Sequence, residues 1–153
     1  MLTAIPAGWL SRSCAVVDDS HRQVGEIEMS WRERGLLTIG GATYSIARDG
    51  WGGPFVLEQA GAIIARATKA PFRRAFTIEH AGATFTLSAP FFSRSFILRS
   101  NSSTPVGVVR PAGLFTRRAE IDAPDDVPLD LRLFAAWLAM VMWRRAARAV
   151  GGG

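Results

Sequence analysis

The sequence predicts a mainly β protein: a roughly twelve-stranded antiparallel barrel around a buried hydrophobic C-terminal α-helix. Three observations carry that expectation. Most of the chain before Pro128 reads as strands of about five residues separated by Gly, Asp and Asn turn signals. A hairpin pattern recurs along it with a period of about 20 residues. One segment alone reads as a helix, Leu129 to Val150, and it is apolar almost all the way round.

At 153 residues the chain reads as a single domain, with its core over about 9–148 and its central helix over about 128–148. Hydrophobic residues make up 48% and charged residues 20%, a globular composition and not a disordered one.

Residues 1–8 are expected to form a short lead-in. Trp9 to Val17 reads as a strand, turned at Asp18-Asp19-Ser20-His21, and Val24 to Met29 as the next. Ser30 to Gly35 reads as a loop or strand edge. Leu37 to Ile39 and Thr43 to Ala47 flank the Gly40-Gly41 turn of a hairpin. Asp49-Gly50 and Gly52-Gly53 mark another reversal. The repeat then begins. Phe55-Val-Leu-Glu-Gln-Ala-Gly61 is followed by Ala62-Ile-Ile-Ala-Arg-Ala-Thr, and Phe76-Thr-Ile-Glu-His-Ala-Gly82 by Ala83-Thr-Phe-Thr-Leu-Ser. Phe96-Ile-Leu-Arg-Ser-Asn101, leading into Val106-Gly-Val-Val109, is a looser copy. Arg117 to Ile121 is expected to be the last strand.

The helix has good formers and no internal Gly or Pro. Pro128 suits a first turn, and Asp125, Asp126 and Asp130 surround the positive end of the helix dipole. Arg144, Arg145 and Arg148 complement its negative end, and Gly151 to Gly153 are expected to stop it. From Leu133 to Trp143 there is no charge. A bilayer span needs roughly 20 apolar residues, and this run is about half that, which favours a protein core. So many strands with one such helix fit best if the strands close and remove their edges.

This arrangement resembles the tubby C-terminal-like superfamily, which includes tubby proteins, phospholipid scramblases and LURP-one-related proteins. The carrying residues are Phe76-x-Ile78, Phe96-x-Leu98, Val106-Gly107, and Arg118-Ala-Glu-Ile-Asp122 leading into Pro128-Leu-Asp-Leu and the helix. The resemblance implies a barrel of about twelve strands around a central helix, and binding at a lipid surface. The sequence has no run matching tubby's basic lipid-binding signature, no Asp-x-Asp-x-Asp calcium loop and no cysteine-rich acylation tract.

Chemistry is sparse. His21 and His80 both fall at expected hairpin turns, where a solvated residue is the ordinary case. There is no Gly-x-Ser-x-Gly elbow, Cys-x-x-Cys pair or Walker loop, so neither an enzyme nor a cofactor is expected. Cys14, the sole cysteine, lies in an apolar strand and reads as an inert thiol. It cannot form an internal disulfide, and the N-terminus does not read as a signal peptide, so the expectation is a cytoplasmic, bacterial protein, with membrane association left open.

Basic residues give the lead. The net charge is +5 and the pI about 10.9. Arg66, Lys69, Arg73 and Arg74 surround one hairpin connection; Arg94 follows one repeat later, and Arg117-Arg118 form another pair. If the hairpins bring them to one end of the barrel, they form an anion-binding patch; otherwise they are a solvated surface. Phe72, Phe91 and Phe92 lie near them and are as readily core. The expected function is a non-enzymatic binding module for an anionic phospholipid or another acidic partner. A tail anchor made by the helix, and a structural or regulatory protein with a protein partner, stand as alternatives. Nucleic acid is the less favoured partner: it would want interleaved stacking aromatics, and Phe72, Phe91 and Phe92 are as readily core.

Overall fold

A computed structural model describes residues 1–8, 11–113 and 117–151. The strands are β1 (Leu2–Pro6), β2 (Ser13–Val17), β3 (Gln23–Met29), β4 (Gly35–Ile39), β5 (Ala42–Arg48) and β6 (Phe55–Gln59). They continue as β7 (Ala62–Lys69), β8 (Ala75–His80), β9 (Ala83–Ser88), β10 (Phe96–Arg99), β11 (Pro105–Pro111) and β12 (Ala119–Asp122), before the helix α1 (Leu129–Gly151). Each strand pairs antiparallel with the next. β1 pairs with β12, Leu2 opposite Ile121 and Ala4 opposite Ala119, and the barrel is closed.

The hairpin pattern becomes this wall. Ala60-Gly61 and Ala81-Gly82 all have positive φ, between 48° and 82°, the conformation that two-residue hairpin turns require. Side chains alternate in and out. On the inside, Cys14 opposes Ile27, Ile27 opposes Leu37, and Leu37 opposes Tyr44. On the outside, β3 presents Glu26 and Glu28, and β8 presents Thr77 and Glu79.

The helix fills the barrel. From Leu133 to Ala139, nearly two turns, every residue is at most 1% exposed. Burial in every direction round the axis requires wall on every side. An eight-stranded barrel is filled by its own side chains, whereas a wider one can hold an element. The fit is tight at two wall glycines. A Cβ on Gly35 would lie 2.9 Å from Trp137 Cε2 and 2.8 Å from Glu28 O, and one on Gly25 would lie 3.0 Å from Leu133 Cδ2. Glycine is needed here for space, because neither has a positive φ.

Four expectations are corrected. The lead-in of residues 1–8 is a strand over Leu2–Pro6, and it closes the barrel. Its pairing with β12, which closes the barrel, joins residues more than a hundred positions apart and so has no local signal. The first expected strand begins at Ser13 and not earlier; Trp9 and Leu10 lie outside the described residues. The last strand begins at Ala119 and not Arg117. The helix runs through Gly151, and Gly152 and Gly153 lie outside the described residues.

Candidate functional site

Topology sorts the connections into two ends. Because consecutive strands alternate in direction, the loops after β1, β3, β5, β7, β9 and β11 share one end. The helix enters from the other end after β12, so its C-terminus emerges among those same loops. Charge is divided accordingly. Asp18, Asp19, Asp122, Asp125, Asp126 and Asp130 lie at the helix's N-terminal end. Most of the arginines lie at its C-terminal end, where they also complement the helix dipole.

The basic residues singled out in the sequence reach this end by different routes. Arg73, at the β7–β8 loop tip, is exposed. Arg74 is a staple: its Nη2 donates to Pro90 O at 2.7 Å and to Ser93 O, joining two neighbouring loops. Lys69 ends β7 and donates to Ala70 O at 3.2 Å. Arg66 points outward from β7 and pairs with Asp49 at 3.0 Å. Arg94 follows on the β9–β10 loop, its guanidinium 5.9 Å from the Trp143 ring. Arg117 donates to Gly8 O at 3.5 Å and to Ser11 O, tying the β11–β12 loop to the β1–β2 loop. Arg118 is exposed beside it. Arg66, Lys69, Arg73 and Arg74 thus lie on one flank, and Arg94, Arg117 and Arg118 surround a pocket.

That pocket has a volume of about 430 Å³. Arg12, Arg94, Arg117, Arg118 and Arg144 line it, and no acid is among its described lining residues. Its floor is apolar, made by Cys14, Ile27, Met29, Met140 and Trp143. The helix end is held by the β3–β4 loop. Arg144 Nη1 donates to Ser30 O at 2.6 Å, and Arg145 pairs with Glu33 at 2.6 Å. Trp143 Nε1 donates to Arg94 O at 2.7 Å. Burial holds Arg144 below the ordinary arginine range; the charges of Arg148 and Arg12 push the same way and Glu33 pulls it back. Burial raises the Cys14 thiol, with Arg117 opposing.

The same loops carry the exposed aromatics. Trp51 and Phe72 are fully exposed, Phe92 and Phe91 nearly so, and Trp31 more than half. Among the described residues, all large exposed aromatics belong to this one end. Phe72 also has φ 59°, unfavourable for a bulky residue. It is held in a strained conformation with nothing to bury it, so fold stability does not account for its presence. Phe72, Phe91 and Phe92, as readily core on sequence alone, are exposed, as is Trp31 in the expected loop or strand edge. The signal available was an aromatic close to an arginine in three loops of this end: Trp31-Arg32, Phe72-Arg73, and Phe91-Phe92 ahead of Arg94.

His80 is not a solvated turn residue. It ends β8 with its side chain inside, 7% exposed, and its Nε2 lies 3.0 Å from Asp130 Oδ1. This pair is structural and sits at the opposite end. Among the described residues no three His, Cys, Asp or Glu converge to hold a metal ion, and no helix is long and apolar enough to cross a membrane. Compared with models of known families, with curated proteins and with solved structures, the chain matches none of them.

Proposed function

We propose that the protein is a non-enzymatic lipid-docking module, whose helix C-terminal end meets an anionic phospholipid surface. The observation that carries this is the coincidence, on one set of loops, of the fully exposed aromatics and the arginines. Tryptophan and phenylalanine settle at the level of lipid headgroups. Each arginine near an anionic leaflet adds about 1 kcal/mol. The acidic opposite end would be repelled, so the charge distribution orients the molecule on approach. An acidic protein surface would use the same arginines and aromatics as anchors, and vesicle binding by the purified protein separates the two readings. A lipid-facing barrel also agrees with what the resemblance to tubby-like proteins implies.

Co-sedimentation with vesicles tests it. Binding is expected with anionic vesicles at low salt and not with neutral ones, and it should fade as salt rises. Trp51→Ser and Phe72→Ser should each weaken it about tenfold while leaving the melting temperature nearly unchanged, since both side chains are exposed. Arg73→Glu should weaken it as well, and is a cleaner probe than Arg74, which staples two loops. Failure to bind anionic vesicles at low salt, or binding indifferent to all three substitutions, would reject this reading.

A further inference from the structure

A second pocket lies on the flank of Lys69 and Arg73, between the β5–β6 and β7–β8 loops that carry Trp51 and Phe72. Arg48, Lys69 and Arg145 line it, with no acid among its described lining residues. Buried Phe55 gives it an apolar base, and Gly52 and Gly53 give it a wall of bare backbone that a ligand can approach closely. Its volume of about 280 Å³ is below the roughly 300–1,000 Å³ of drug-sized sites, so it suits a headgroup and not a whole lipid. Two of its cations are set in place. Arg48 lies over the Phe55 ring, 4.9 Å from the centroid, and reaches Glu33 at 3.9 Å. Arg145 pairs with the same carboxylate at 2.6 Å. Lys69 has only a carbonyl, Ala70 O, as its hydrogen-bond partner among the described residues. Asp49, in the β5–β6 loop, is taken by Arg66 at 3.0 Å.

We infer that this pocket takes a phosphomonoester group, held among Arg48, Lys69 and Arg145. The inference rests on the lipid-docking reading of this end, which makes a lipid headgroup the source. Three cations share the single carboxylate of Glu33, which leaves a surplus of two positive charges. A phosphomonoester carries close to two negative charges at neutral pH, whereas the phosphodiester of a lipid such as phosphatidylglycerol carries one. Guanidinium forks match phosphate oxygens two at a time, and an ammonium adds a point charge. Arg48 has five N–H donors and gives Glu33 only a long contact, so donors remain for an anion. The exposed rings beside the mouth set the depth. With Trp51 and Phe72 at the level of the headgroups, a pocket between their loops sits where lipid phosphates lie.

Lipid preference supplies the readout. Phosphatidylcholine vesicles carrying either phosphatidic acid or phosphatidylglycerol, brought to the same surface potential, present a monoester or a diester at equal overall charge. Wild type should bind the phosphatidic acid vesicles about tenfold more tightly. Lys69→Gln should remove most of that preference and leave the melting temperature nearly unchanged, since Lys69 bonds only to a neighbouring carbonyl. Arg73→Gln, at the exposed loop tip outside the pocket, should weaken binding to both vesicles alike. Equal binding of wild type to the two vesicles would overturn the pocket and leave the docking surface standing. So would a preference undiminished in Lys69→Gln, which would trace it to the packing of phosphatidic acid in the bilayer. If neither vesicle binds, the docking surface fails, and glycerol 3-phosphate decides the pocket. A rise in the melting temperature of wild type, and not of Lys69→Gln, would keep the site for a free phosphomonoester and overturn the lipid source. No rise in wild type would overturn the site as well.

Discussion

His80 and Asp130 join wall to helix where the helix enters the barrel, with Nε2 and Oδ1 3.0 Å apart. The hydrogen bond from His80 is the main reason that the Asp130 carboxyl is held below its ordinary range; burial works against it, and the backbone N–H of Leu131 supports it at 2.8 Å. A carboxyl depressed in the folded state stabilises the fold above the ordinary aspartate range, near pH 4. That contribution is lost as pH falls through the folded value. Asp130→Asn should therefore cost about 1–3 kcal/mol at neutral pH and flatten the acid limb of a plot of melting temperature against pH. An acid limb equally steep in the variant would assign it to other carboxylates. The inward position of His80 could have been read from Phe76 and Ile78, which set an alternation that His80 continues. The neighbouring Ala81-Gly82 turn drew the assignment one residue too far.

The helix was the most legible element, because a segment apolar on all faces and too short for a bilayer has few places to go. Its centre offers the sharpest test. Trp137 is fully buried, and its ring lies 5.2 Å from that of Phe55. Trp137→Asp would place an unpaired charge in the barrel at a cost of about 5 kcal/mol or more, comparable with the whole stability of a domain. Loss of the cooperative melt is expected, and a melt like wild type would contradict an enclosed helix. The hairpins were legible as well, because their two-residue turns have strong local signatures. The site was less so. Arg12 and Arg144 carry no motif, and they share a pocket only because the β1–β2 loop and the helix end meet at one rim. Arg74 was grouped with the anion-binding arginines by proximity in sequence. Its bonds to Pro90 O and Ser93 O give it a structural role that proximity could not reveal.

At the scale of the molecule, closure depends on β1, the strand the sequence hid. It pairs with β2 over Thr3–Pro6 and with β12 over Leu2–Ala4. Removing residues 1–6 would leave β2 and β12 as open edges, each a template for another chain. The truncated protein should lose at least about 10 °C in melting temperature and form concentration-dependent oligomers, measured by scattering during a thermal ramp. A monomer that melts like the full chain would mean that the barrel tolerates a gap.

The placement of α1 after all twelve strands imposes an order of events. The wall is synthesised from its first strand to its last before its filling exists. At about 5–20 residues per second, the earliest strands wait on the order of ten seconds for the helix to be made. During that wait their inward faces, Val16, Ile27 and Leu37 among them, have nothing to cover them. The closing pair of the wall, β1 with β12, also joins the two most distant strands, the slowest kind of contact to form. Nascent chains stalled before Pro128 should therefore be bound by chaperones, and release should coincide with emergence of the helix.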